Sequence, residues 1–114
     1  MKFLTRMHSA RFAALSGAIC IAGFAGSAAA GDVAAGETKA ATCITCHGAG
    51  GNVPIADYPK LAGQSRKYLL QVMREYADGT RVNPVMNAQM KTGMSDQDLQ
   101  DLAAYFAAQS GDLR

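Results

Sequence analysis

Positive charge is scarce once the first thirty residues are set aside. Lys2, Arg6 and Arg11 all lie in that segment, and residues 31–114 carry 8 basic against 9 acidic side chains. A nucleic-acid binder working through a basic surface is excluded on that balance. The 114 residues allow one domain at most. They hold no internal repeat, no low-complexity linker and no run of like charges, and no stretch alternates as a half-buried strand would. Bulky apolar side chains are few. Residues 31–114 contain 37 apolar residues, but 13 are Ala and two are Cys, which leaves 22. So thin a core calls for a staple: a disulfide, a metal or a cofactor. Histidine is nearly missing as well, since only His47 lies beyond residue 30.

Long hydrophobic runs are also lacking. The one candidate, Phe12 to Phe24, is uncharged but only thirteen residues long, short for a membrane span. It follows the positive segment with Lys2, Arg6 and Arg11 and precedes Gly26-Ser27-Ala28-Ala29-Ala30. This order of charged, apolar and small segments predicts a secretory signal peptide over residues 1–30, cleaved after Ala30. An uncleaved anchor is the competing reading. Cys20 lies inside the apolar run and is expected to leave with the peptide, because Gly17-Ala18-Ile19 before it does not resemble a lipidation box. Residues 31–114 then form the working domain, across a membrane from the cytosol.

Three segments of that domain read as helix. Val33, Gly36, Ala40 and Ile44 recur at helical spacing and predict a first helix over residues 32–46. The second covers 65–78, with Tyr68, Val72 and Tyr76 on one face, Leu69 and Met73 beside them, and Gly79 as the stop. The third covers 95–109. Ser95 and Asp98 form a capping-box-like start, and Leu99, Leu102 and Phe106 form an apolar stripe with Tyr105 adjacent. Residues 48–63 and 80–93 read as loops. The class is all-α, with ordered loops that must pack on something; loops this long in a compact domain are usually functional.

The chemistry is carried by Cys43-Ile44-Thr45-Cys46-His47. Cys-x-x-Cys-His is the attachment signature of c-type haem. Two cysteines three apart at a helix end project from one side and can form thioethers to the two vinyl groups on one porphyrin edge, and the next residue falls under the iron. Covalent haem would also be the missing staple. A plain Cys43–Cys46 disulfide or thiol redox pair is the first alternative, but the alternating strands and helices of thioredoxin-like proteins are absent. Zinc is the second, and lacks a fourth ligand.

With these residues in view, the chain resembles a class I bacterial cytochrome c, in particular one haem domain of the small periplasmic cytochromes that occur singly or as two fused, di-haem halves. The resemblance is carried by Cys43-Ile44-Thr45-Cys46-His47-Gly48, Tyr58-Pro59-Lys60-Leu61-Ala62-Gly63-Gln64, Asn83-Pro84-Val85-Met86, and Ser95-Asp96-Gln97-Asp98 with Leu102-Ala103-Ala104-Tyr105-Phe106. Together they run through nearly all of residues 31–114, and one haem motif is present. The resemblance implies a small fold of three to five helices wrapped around one covalent haem. His47 would be one axial ligand, and the Pro59 carbonyl would accept from its ring. Gly36 and Tyr105 would mark the crossing of the first and last helices.

A methionine is the expected second axial ligand, because haem iron in electron carriers is commonly held by His and Met. Met73, on an apolar helix face, and Met94, before the last cap, read as packing. Met86 and Met90 remain. The Asn83-Pro84 turn favours Met86. The family spacing of seven residues before the position matched to Met94 falls instead on Asn87, a departure that an inserted residue between Asn87 and Lys91 explains. Tyr68, Tyr76 and Arg81 are candidates for the haem propionates, with solvated or core roles equally open. The function implied is electron transfer without catalysis, between redox proteins: a quinol or substrate dehydrogenase as donor, a terminal oxidase or reductase as acceptor, with membrane association only through such partners. Three rivals stand beside it: a haem catalyst with an open iron site, a thiol–disulfide oxidoreductase, and a haem subunit of a larger dehydrogenase or oxidase. Lys60, Arg66, Lys67, Arg81 and Lys91 are candidates for a local docking patch, or are scattered solvated charges.

Overall fold

The computed structural model describes residues 30–54 and 57–111. The expected signal peptide, with Cys20, lies outside the described residues apart from Ala30. Among the described residues there are five α-helices and no strand. These are α1 (Val33–Lys39), α2 (Ala41–His47), α3 (Arg66–Asp78), α4 (Pro84–Met90) and α5 (Asp96–Ala108), with a short 3-10 turn at Ala49–Gly51. None of the described helices is long and apolar enough to cross a membrane.

Two expectations need correction. The first predicted helix is two helices, broken at Ala40, whose amide reaches both Gly36 and Glu37 carbonyls. Ala40 is fully buried, so the break turns the chain where no larger side chain would fit. The segment 80–93, read as a loop, contains α4. Its signal was present but short: Asn83 caps the helix by accepting from the Val85 and Met86 amides, 3.0 Å each, and Pro84 sits in the first turn, where its missing N–H costs nothing. A seven-residue helix shows too little periodicity to stand out.

The other two helices lie where expected. Asp32 caps α1 by accepting from the Ala35 amide at 2.7 Å. Ser95 and Asp98 complete a capping box at α5: the Ser95 hydroxyl accepts from the Asp98 amide at 3.2 Å, and the Asp98 carboxylate accepts from the Ser95 amide at 2.8 Å. Leu99, Leu102 and Phe106 of α5 are buried against Leu69 and Met73 of α3 and Met90 of α4. Met94 packs on the edge of the same core.

Helix α1 crosses α5 at Gly36. A Cβ there would lie 2.1 Å from the Asp101 carbonyl oxygen and 2.7 Å from the Tyr105 Cβ, so only hydrogen lets the two backbones approach. Backbone cannot yield as a flexible side chain can. Gly36→Ala should therefore cost about 3 kcal/mol, the upper end for overpacking. Gly79, the left-handed cap of α3 at φ +87°, has nothing within 4 Å of a built Cβ. Gly79→Ala should cost only the backbone strain it introduces, about 1 kcal/mol. Urea unfolding of the two variants checks the difference.

The same crossing holds a buried acid. Asp101 accepts from the Asp32 amide at 2.8 Å, from Lys39 Nζ at 2.5 Å and from Gln97 at 2.9 Å, and Lys39 also reaches Asp98 at 2.8 Å. The Lys39 hydrogen bond, then the Asp32 amide and Gln97, hold the Asp101 carboxyl below its ordinary value. Lys39, then Ser95, lower that of Asp98 from 3.8 to about 2. Both carboxyls are easier to ionise folded than unfolded, so their contribution is full above their ordinary value and is lost as pH falls through the folded values. Thermal stability should thus drop steeply between about pH 4 and about pH 2. Asp98→Asn should flatten that part of the melting-temperature profile.

Candidate haem site

Among the described residues a large apolar cavity, of about 710 Å³, lies between α2, the segment following it, α3 and α4. Cys43, Cys46 and His47 enter from α2, Tyr58, Pro59 and Leu61 from the next segment, Tyr68, Leu69, Val72, Met73 and Tyr76 from α3, and Met86 and Met90 from α4. Phe106 of α5 closes the floor. The face of α3 expected from spacing is therefore a cavity wall. Met73 and Met90 are buried in the core and also touch the cavity, and Met86 is half-buried at it.

His47 is 7% exposed, at the last position of α2. Its Nδ1 lies 2.8 Å from the Pro59 carbonyl oxygen. A carbonyl can only accept, so Nδ1 carries the proton and donates, and Nε2 keeps its lone pair. That is the tautomer a metal-binding imidazole needs, with the ring orientation fixed by the second hydrogen bond. The Tyr58 ring packs edge-on, its centroid 6.3 Å from that of His47.

Cys43 and Cys46 stand one turn apart on α2, both half-buried at the cavity wall and not joined to each other. Burial pushes the Cys43 thiol up. A thiol–disulfide catalyst requires the opposite, a thiol made more acidic by its surroundings.

The donor set identifies the group that fits. Among the described residues no three His, Cys, Asp or Glu side chains gather as a metal site. The cavity wall carries one imidazole, methionine thioethers and the thiols of Cys43 and Cys46, which do not gather with the imidazole around one point. A bare ion would be under-ligated by these. Haem brings four nitrogens of its own, needs two axial donors, and fills an apolar cavity of this kind. The residues present fit it.

Tyr68, Tyr76 and Arg81 all line the cavity. The Arg81 guanidinium lies 5.6 Å from the Tyr76 ring centroid and donates to Glu75 at 3.1 Å. Gln71, then Arg81, hold the Glu75 carboxyl below its ordinary range. Of the five cations considered for a docking patch, Lys60 and Arg81 reach the cavity, while Arg66, Lys67 and Lys91 do not line it. Sequence reasoning met Asn87 only as a departure from the family spacing. Its side chain, absent from the cavity wall, makes three hydrogen bonds beside Met86. No pattern in the sequence announces such a contact.

This helical shell around an apolar cavity, with Cys-x-x-Cys-His on its wall, is a c-type haem domain. The family model described as "Cytochrome c" matches residues 33–110, and the chain belongs to the cytochrome c family. It is 56% identical over 81 residues to cytochrome c4 of Pseudomonas aeruginosa, covering 71% of this chain and 40% of that protein. It is 45% identical over 82 residues to cytochrome c-554(548) of Halomonas halodenitrificans, covering 70% of this chain and 99% of that protein. Among solved structures it is similar to reduced recombinant cytochrome c4 from Pseudomonas stutzeri, with a TM-score of 0.68 and 41% identity, covering 73% of this chain and 48% of that one. The chain thus spans less than half the length of these two cytochromes c4 and nearly all of the shorter relative. Membership makes Cys43 and Cys46 the attachment points of a covalent c-type haem.

Proposed function

We propose that this chain is a periplasmic one-electron carrier whose haem iron is held by His47 and Met86. The observation that carries the reading is the His47–Pro59 hydrogen bond, 2.8 Å long, on a buried imidazole at the wall of an apolar cavity. It fixes the tautomer that presents Nε2, and α4 brings a methionine to the same cavity. When bound, the haem supplies the reversible ferrous–ferric couple.

The protein's own residues do the rest. Pro59 keeps the imidazole proton on Nδ1 in both oxidation states. Leu61, Leu69, Val72 and Phe106 exclude water from the cavity, which favours the less charged reduced form. Met86 lies on α4, whose first turn Asn83 caps, and a thioether at the iron raises the potential. With His47 and Met86 both holding the iron, no open position would be left for a substrate, which would separate a carrier from a haem catalyst. The donor and acceptor are redox proteins of the respiratory or dehydrogenase kind.

Spectroelectrochemical titration of the holoprotein tests this. A single reversible one-electron wave, with the low-spin spectrum kept throughout, is the expected result. A change of spin state between the two forms would contradict the ligand set.

A further inference from the structure

The connection from α3 to α4 is tied together by one side chain. The Asn87 carboxamide oxygen accepts from the Asn83 amide at 2.7 Å. Its Nδ2 donates to the Tyr76 carbonyl at 2.7 Å and to the Arg81 carbonyl at 2.9 Å. All three partners are backbone. Tyr76 lies in the last turn of α3, where carbonyls lack helical partners; Arg81 lies in the connection; Asn83 is the cap of α4. The Asn83 side chain in turn accepts from the Met86 amide, and the Asn87 amide donates to the Asn83 carbonyl at 2.8 Å. Asn83 and Asn87 thus hold each other across the first turn of α4, and Asn87 anchors that turn to the end of α3. Met86 sits between them.

We infer that Asn87 is a positioning residue for Met86: it fixes the start of α4 to α3 so that the thioether stays at the cavity. Its amide supplies one acceptor and two donors, and all are used. Asp could accept from Asn83 but would set a carboxylate against two carbonyl oxygens. Leu would keep the volume and lose every bond. Either change leaves α4 held by its own short ladder and by Met90 in the core, so the first turn, with Met86, opens more often. An added ligand for ferric iron then competes better, because its apparent affinity scales with the fraction of molecules whose sixth position is open.

This inference rests on Met86 being the sixth ligand, and the experiment separates the two. Imidazole is titrated into the ferric holoprotein and its affinity read from the visible spectrum. The variants are Asn87→Leu, Asn87→Asp, Met86→Ala, and Ser95→Ala, which uncaps α5 instead. Asn87→Leu is expected to bind imidazole at least tenfold more tightly than the parent, Asn87→Asp likewise if Asn87→Leu fails to assemble, and Ser95→Ala within twofold of the parent. If the Asn87 variants match Ser95→Ala while Met86→Ala binds far more tightly, Asn87 is packing only and the inference fails alone. Should Met86→Ala bind imidazole as the parent does, the ligand assignment fails and this inference with it.

Discussion

Met86→Ala should abolish the weak long-wavelength band that marks methionine sulfur on ferric haem iron, while Met90→Ala should keep it. The two side chains differ in where they stand. Met90 is 5% exposed and packs with Leu99 and Leu102 in the core. Met86 is partly buried, lies in the first turn of α4 and meets the cavity. Losing the thioether should also lower the reduction potential by at least about 0.1 V, a fraction of the ~0.8 V over which axial ligands set haem potentials. Met90→Ala should cost stability instead, about 2 to 5 kcal/mol as for other buried large-to-small changes, with the potential little altered. Visible spectra and redox titration of the two holoproteins decide the matter. A band lost in Met90→Ala and kept in Met86→Ala reverses the assignment.

The second large effect concerns attachment. Cys43→Ala with Cys46→Ala removes both thioethers, and no other cysteine follows residue 46. The product should carry no covalent haem after acid–organic extraction, and its helical circular dichroism should fall far below that of the parent. The reason is the size of the core. Among the described residues its largest fully buried side chains are Leu102 and Phe106, and α3 and α4 face an apolar cavity that nothing else in the described residues fills. Exposing such a wall to water costs about 25 cal/mol per Å² of apolar surface. A variant that keeps the parent's helicity without haem would show that the shell holds itself together.

Much of this was legible in the residues, and the failures have physical causes. The five-residue haem motif needed no structure, because two thiols and an imidazole at fixed spacing can serve few other ends. The stripe of Leu99, Leu102 and Phe106 was visible because thirteen helical residues give more than three turns of periodicity. Gly36 opposite Tyr105 was implied by the resemblance, and the 2.1 Å approach to the Asp101 carbonyl gives the reason. Helix α4 was not legible, since two turns carry little periodic signal and its cap was read as a loop turn. The break at Ala40 lay inside an unbroken apolar pattern; packing at a buried alanine imposes it, and local sequence does not. Asn87 was noticed only as a spacing anomaly. Its three hydrogen bonds go to backbone groups at Tyr76, Arg81 and Asn83, and such partners leave no residue pattern.

The most direct test of the carrier reading is the visible spectrum of the reduced holoprotein before and after exposure to carbon monoxide, at neutral pH and without denaturant. Iron closed on both sides by His47 and Met86 predicts an unchanged spectrum. A shift to the spectrum of a carbon monoxide complex would reveal an open iron position and would contradict the account, placing the chain among haem catalysts or gas binders.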